Sequence, residues 1–168
     1  ILKKVTKKAI KFHSAPLPEY RGVFGYNFAF LNKETEYGVS VHELNDNFDM
    51  GNIIEVLRFP YDFENGNLKE LVKLADEYLF QLFRKTYYRL KNNENFEVVE
   101  QTKETGKYYS RKMFEKLKQI NLDNQDENID EKIKAFWYPP FEPAYIKNNE
   151  KKYYLLTEEI YKKINWEK

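Results

Sequence analysis

A chain of 168 residues has room for one domain, or one domain with a small appendage. Its 28 Lys and Arg against 27 Asp and Glu leave a net charge of +1, which argues against a dedicated nucleic-acid binder. Zero cysteines exclude a disulfide framework and thiolate metal sites, and no apolar run approaches the ~18 residues a membrane helix needs. With 42% hydrophobic residues, 14 Tyr and 13 Phe, a sizeable aromatic core is expected. The chain opens Ile1-Leu2-Lys3-Lys4 without Met or a signal peptide's apolar stretch, which reads as a fragment or a missing beginning.

In chain order, Ala9 to Phe12 reads as a short strand end. His13 to Gly22, carrying Pro16, Pro18 and Gly22, reads as a loop. Val23 to Leu31 is apolar enough for a buried helix. Gly38 to His42 alternates as a half-buried strand, Asn45 to Gly51 is a polar loop, and Ile53 to Phe59 is a strand stopped by Pro60. Leu68 to Lys91 is the clearest helix, because Leu68, Leu71, Val72, Ala75, Tyr78, Leu79, Leu82 and Phe83 recur at three- and four-residue steps. Beyond Asn92-Asn93 the texture changes. A polar stretch covers Asn121 to Asn128, a short helix covers Ile129 to Phe136, a hairpin turns at Asn148-Asn149, and Thr157 caps a last helix. The expected division is therefore residues 1–92 and residues 93–168.

Two constellations carry candidate chemistry. The first is Phe12-His13-Ser14-Ala15-Pro16-Leu17-Pro18-Glu19-Tyr20-Arg21-Gly22, a proline-stiffened loop that follows a histidine at a strand's end. Taken alone, such a histidine is more often structural. The second runs from Gly38-Val39-Ser40-Val41-His42 to Asp49-Met50-Gly51-Asn52-Ile53-Ile54, where Asp49 beside a glycine-bearing bend either approaches His13 or stabilises its own turn.

Together these stretches resemble the folate-dependent formyltransferase family, whose members carry His-Pro-x-x-Leu-Pro-x-x-Arg-Gly, then Gly-Val-[ST]-x-His, then Asp-x-Gly-x-Ile-Ile. The matching positions are His13, Leu17, Pro18, Arg21, Gly22, Gly38, Val39, Ser40, His42, Asp49, Gly51, Ile53 and Ile54. The resemblance implies an α/β fold: the C-terminal portion of a Rossmann-like formyltransferase domain, followed by a small α+β subdomain. It also implies that His13 and Asp49 belong to an Asn-His-Asp catalytic set. The Asn position holds Lys11, which offers charge and donors but no acceptor. As a nearby cation it should also make His13 harder to protonate. Ser14 stands where the family has Pro.

The chemistry implied is attack of a neutral amine on the formyl carbon of 10-formyltetrahydrofolate. A histidine of near-neutral pKa moves the proton and a carboxylate orients it. No metal is required, and no group of residues has metal-ligand spacing. The resemblance extends to the tail, where Tyr108-Tyr109-Ser110-Arg111-Lys112, Ile133-Lys134-Ala135-Phe136-Trp137 and Ala144-Tyr145-Ile146 look like the region after the catalytic domain of sugar N-formyltransferases. It implies a folate-binding set of Asn45, Asp46, Asn47, Phe48 and Leu17. The corresponding substrate set is Arg21, Arg111, Lys112 and Trp137, though most of the tail aromatics read more readily as packing and the two tail cations as solvated charges.

The substrate class follows from what the tail lacks. Residues 93–168 hold 14 Lys and Arg against 15 Asp and Glu, and residues 1–92 hold 14 against 12. A short, near-neutral tail is a poor clamp for a phosphate backbone, so a nucleotide-linked amino sugar is favoured over an initiator tRNA. Expected with it are a cytoplasmic enzyme of lipopolysaccharide biosynthesis, no nucleic-acid or membrane partner, and a homodimer through the C-terminal region. Two alternatives stand beside this: an inactive or split relative that only binds or dimerises, and a methionyl-tRNA formyltransferase.

Overall fold

The structure is a computed structural model and describes residues 9–124 and 128–164, so the opening Ile1–Lys4 and part of the polar stretch after Asn121 lie outside it. Its centre is an antiparallel sheet of three strands in the order β1 (Ile10–His13), β3 (Glu36–Glu43) and β4 (Ile53–Pro60). The β1–β3 register sets Lys11 opposite His42 and His13 opposite Ser40. Because side chains alternate along a strand, these four polar residues share one face, while Phe12 and Val41 share the other.

The apolar face is covered by α2 (Leu68–Lys91), whose bounds match the sequence reading. Asn67 caps its start by accepting a hydrogen bond from the Glu70 amide at 3.0 Å. Leu71, Ala75 and Leu82 are fully buried, and Tyr78 stacks on Phe59 with ring centroids 4.2 Å apart. Burying each leucine contributes roughly 1.5–3 kcal/mol. Phe12 meets Phe83 edge-on at 5.5 Å. Beyond that contact Phe80, Tyr87 and Tyr88 stay exposed.

The segment His13 to Gly22 differs from the expected loop at its end. Tyr20–Gly22 forms a short strand, β2, which pairs in parallel with β5 (Lys107–Tyr109). The prolines end at Pro18, so the backbone of Tyr20 to Gly22 is free to pair with a partner about 87 positions downstream. The sequence reading assigned no element to residues 107–118, where β5 is followed by α3 (Arg111–Lys118). Ser110 caps α3, accepting from the Met113 amide at 3.2 Å.

Gly22 explains why the pairing needs a glycine. Its φ is +95°, and a Cβ there would stand 2.2 Å from the Tyr109 carbonyl oxygen.

The remaining elements are α1 (Gly25–Leu31), α4 (Ile129–Phe136), the hairpin β6 (Tyr145–Asn148) and β7 (Lys151–Tyr154), and α5 (Glu158–Lys163). Helix and Thr157 cap fall where the sequence reading put them, with the Ile160 amide 3.2 Å from the Thr157 hydroxyl, while the hairpin turns one residue later, at Asn149-Glu150. Residues from both sides of position 93 feed one core. Phe24 stacks on Phe114 at 3.6 Å, and Asn27 donates to the Ala135 carbonyl at 2.7 Å. No described helix is long and apolar enough to cross a membrane.

Gly22→Ala should destabilise the protein by on the order of 3 kcal/mol, since it combines a disfavoured φ with a backbone clash. A urea unfolding midpoint within error of the parent would show that the β2–β5 approach is looser than described.

Candidate active site

The polar face of β1 and β3 is closed by the loop between β3 and β4, which carries Asp49. Asp49 adopts a left-handed backbone, φ +53°, and keeps only 4% of its surface exposed. Gly51 follows it where the loop presses onto β3, and a Cβ there would overlap the Glu43 carbonyl oxygen. At the start of β4 a bulge sets His42 opposite Ile53 while Val41 faces Glu55, so Ile54 is the extra residue.

Both Asp49 oxygens are engaged. Oδ2 accepts from the Gly22 amide at 2.9 Å, and Oδ1 lies 2.5 Å from Lys11 Nζ. His42 Nε2 approaches Oδ1 to 3.4 Å, while His42 Nδ1 donates to the Glu43 carbonyl at 2.8 Å. His13 Nδ1 faces Oδ2 at 3.9 Å, too far for a hydrogen bond, and its Nε2 donates to the Tyr20 carbonyl at 2.8 Å. The structure thus brings His13 and Asp49 together from positions 36 apart in sequence. It also adds a cation, Lys11, whose side chain is 40% exposed.

The electrostatics follow from burial and neighbours. Burial alone would raise the Asp49 pKa, but the neighbouring His42 and Lys11 side chains, the His13 ring and the Gly22 amide outweigh it. The carboxyl is held well below the usual carboxylate range. For His13 the balance runs the other way. Burial pushes it below the ordinary 6.5, Asp49 and the Tyr20 carbonyl oppose that, and Lys11 and His42 add to it. At neutral pH His13 is therefore an uncharged imidazole beside a carboxylate, the state a proton acceptor requires.

The other sequence-predicted residues are spread more widely. Leu17 is buried, its amide donating to the Ser40 hydroxyl at 2.9 Å; that hydroxyl in turn donates to the Ala15 carbonyl at 2.8 Å. These bonds tie the proline loop to β3. Asn45, Asp46 and Asn47 are exposed, and Phe48 is 78% exposed beside Asp49. Arg21 is buried instead of facing solvent. Its guanidinium contacts Met50 Sδ and donates to the carbonyls of Thr102 at 3.4 Å and Gly106 at 3.2 Å. Arg21, Phe48, Met50, Lys103 and Tyr108 line a cleft of about 290 Å³ beside the Asp49 loop.

Arg111 and Lys112 are exposed at the start of α3, Arg111 lying over the Phe24 ring at 5.3 Å. Trp137 is half-buried and lines a separate open groove of about 1560 Å³ with Tyr61 and Tyr138, a groove to which Lys11, His13 and Asp49 do not contribute. Among the described residues no group of three or more His, Cys, Asp or Glu could hold a metal ion.

Sequence reasoning did not single out Gln101, which is buried and donates to the carbonyls of Asp49 at 3.0 Å and Gly51 at 2.6 Å. Its neighbourhood has no periodicity or motif to point to it. His42 and Gly22 were visible only as motif positions, without their contacts to Asp49.

A formyl transferase family model matches residues 1–73. A GDP-perosamine N-formyltransferase of Brucella melitensis is 29% identical over 174 aligned residues, covering 97% of this chain and 61% of the relative. A methionyl-tRNA formyltransferase of Buchnera aphidicola is 27% identical, covering 81% and 42%. Among solved structures, an N-formyltransferase from Helicobacter canadensis in complex with folinic acid and dTDP-3-aminofucose superposes with a TM-score of 0.70. It shares 30% identity over 85% of this chain and 52% of its own. A 4-N formyltransferase from Francisella tularensis, at 23% identity, shares the fold with a TM-score of 0.77 over 89% of this chain and 61% of its own. The chain thus spans about three fifths of the length of the GDP-perosamine enzyme it matches.

Both lowered pKa values make the fold acid-labile. A group with a depressed folded pKa contributes its full stability above the unfolded pKa and loses it as pH falls through the folded one. His13 should therefore begin to cost stability below about pH 6.5, and Asp49 below about pH 4. Each proton taken up on unfolding removes about 1.4 kcal/mol per pH unit. Thermal melts from pH 7.5 to 3 should show two successive declines, and His13→Gln should flatten the first. A melting temperature independent of pH from 7 to 5 would contradict the buried neutral histidine.

Proposed function

We propose that this chain is a folate-dependent formyltransferase and that it contributes the His–Asp part of an active site for N-formylation of a nucleotide-linked amino sugar. The observation that carries the reading is the pairing of a buried, ionised Asp49 with a neutral His13 on the sheet face beside an exposed loop. The names of the relatives support the substrate class: one acts on GDP-perosamine, and another is seen with dTDP-3-aminofucose. The near-neutral tail supports a sugar nucleotide over a tRNA backbone.

In this reading the formyl donor is 10-formyltetrahydrofolate, a co-substrate, with the exposed Asn45–Phe48 loop at its side of the site. The acceptor's uncharged amine attacks the formyl carbon, forming the new C–N bond and a tetrahedral oxyanion. The nitrogen's proton passes to His13 at Nδ1, the ring nitrogen that Tyr20 leaves free. Asp49 lies 3.9 Å away and stabilises the imidazolium. The folate nitrogen then departs with the bonding electrons and receives the proton. Of the substrate set, Arg111 and Lys112 remain open to an anionic group and Trp137 to a base, while Arg21 is occupied by carbonyls and works from within the fold. The same reading places the reaction in the cytoplasm and a homodimer contact in residues 93–168.

One observation favours a second reading, in which the site is silent. Lys11 engages Asp49 Oδ1 at 2.5 Å, and the carboxylate does not hydrogen-bond His13.

The two readings separate in an assay of formyl transfer from 10-formyltetrahydrofolate to GDP- or dTDP-linked amino sugars. His13→Ala should lower turnover by about 10²–10⁴. Lys11→Asn should raise it, since a preorganised oxyanion donor is typically worth about 10²–10³. Activity that appears only in Lys11→Asn would support the silent site. A drop on Lys11→Asn would make this lysine an adapted catalytic group.

A further inference from the structure

We infer that Gln101 is a positioning residue that holds Asp49 in its left-handed bend and so sets the carboxylate's distance to His13. This rests on the reading of Asp49 and His13 as the working pair.

The bend is intrinsically unfavourable for a side chain other than glycine, because φ +53° crowds the Cβ against the backbone. Asp tolerates this region better than most residues, but the bend still gains from a contact outside the loop, and Gln101 is placed to supply it. Its single amide nitrogen donates to two carbonyls, Asp49 at 3.0 Å and Gly51 at 2.6 Å, bracketing Met50. Both amide protons are consumed by one turn of the loop. The orientation of the amide is unambiguous, since the flipped form would set Oε1 against two carbonyl oxygens with no proton between them.

The other end of the amide sharpens the point. Oε1 is buried and has no hydrogen-bond partner among the described residues. A buried acceptor left unpaired is unfavourable, so the side chain is not placed here to satisfy itself. The gain lies on the nitrogen side, in the loop. The segment bearing Gln101 is itself anchored, because Val99 and Ile53 exchange backbone hydrogen bonds at 2.8 Å in both directions. Two residues beyond Val99, Gln101 reaches the loop, and Arg21 reaches back from β2 to the Thr102 carbonyl. Residues 99–102 form a brace between the start of β4 and the Asp49 bend. With the bend held, Oδ2 meets the Gly22 amide, and Lys11, His13 and His42 face the carboxylate from β1 and β3.

The test is an NMR titration of the intact chain beside Gln101→Met, which keeps the length and removes both donors. The Asp49 carboxyl and His13 ring midpoints are followed together with amide exchange at Gly22 and Gly51. In Gln101→Met the Asp49 midpoint should rise by about one pH unit or more toward the ordinary value, the His13 midpoint should shift with it, and exchange at Gly22 should quicken by about tenfold or more. A variant that melts earlier with both midpoints unchanged would reduce Gln101 to a structural residue and overturn the inference. Should Gln101→Met not fold, the parent chain decides: both Gln101 side-chain amide protons should be protected from exchange, and rapid exchange of either refutes the double bond to the loop. These readouts do not involve turnover. An inactive protein with the predicted shifts would count against the formyl-transfer reading and leave the positioning role standing.

Discussion

Taking a carboxylate out of water costs several kcal/mol unless partners replace the solvent, and the Asp49 side chain is almost wholly enclosed. Much of the surrounding architecture serves that requirement. The β1–β3 register delivers Lys11 and His42 to one oxygen, and the Gly22 amide is delivered to the other. Gly22 occupies its place because β2 pairs with β5, and that pairing brings the Tyr109 carbonyl so close that no side chain fits. The carboxylate therefore ties the front of the chain to residues beyond position 100. Without those later residues, β2 and the Asp49 bend would each lose a main support.

Position 11 decides how the field of that carboxylate is divided. In a low-dielectric setting each counter-charge near Asp49 competes with the others, and an ammonium at 2.5 Å outweighs an imidazole at 3.9 Å. His13 feels Asp49 as a raising influence and Lys11 as a lowering one, and burial tips the outcome toward the neutral ring. An amide at position 11 would give Asp49 a weaker partner and leave more of its field to His13. A lysine in place of an amide at position 11 is thus a change in the protonation balance of the histidine.

The periodic elements were legible because the forces that make them are local. The apolar stripe from Leu68 to Phe83 dictates α2 between an Asn cap and the Asn92-Asn93 stop. Alternation and Pro60 likewise place β3 and β4, and Thr157 places the last cap. The motif residues His13 and Asp49 could be paired from a family resemblance spanning some 40 residues, and the structure sets them on one face.

What only the tertiary structure decided rests on pairings with no local signal. The strand at Tyr20–Gly22 exists because Lys107–Tyr109 lies beside it, and three residues carry no period of their own. Arg21 stands in the substrate set that the family resemblance implies, yet the turn at residues 102–106 encloses it. Lys11 reads only as the occupant of the Asn position, yet its ammonium pairs with the Asp49 carboxylate. Gln101 is one glutamine in an aperiodic polar stretch, and its two bonds to the Asp49 loop come from chain folding over a separation of about 50 residues. Sequence by itself determined which side chains were available for chemistry, since residue type fixes charge, donors and acceptors. Distances among them were decided by long-range backbone pairing, which depends on the whole chain closing on itself.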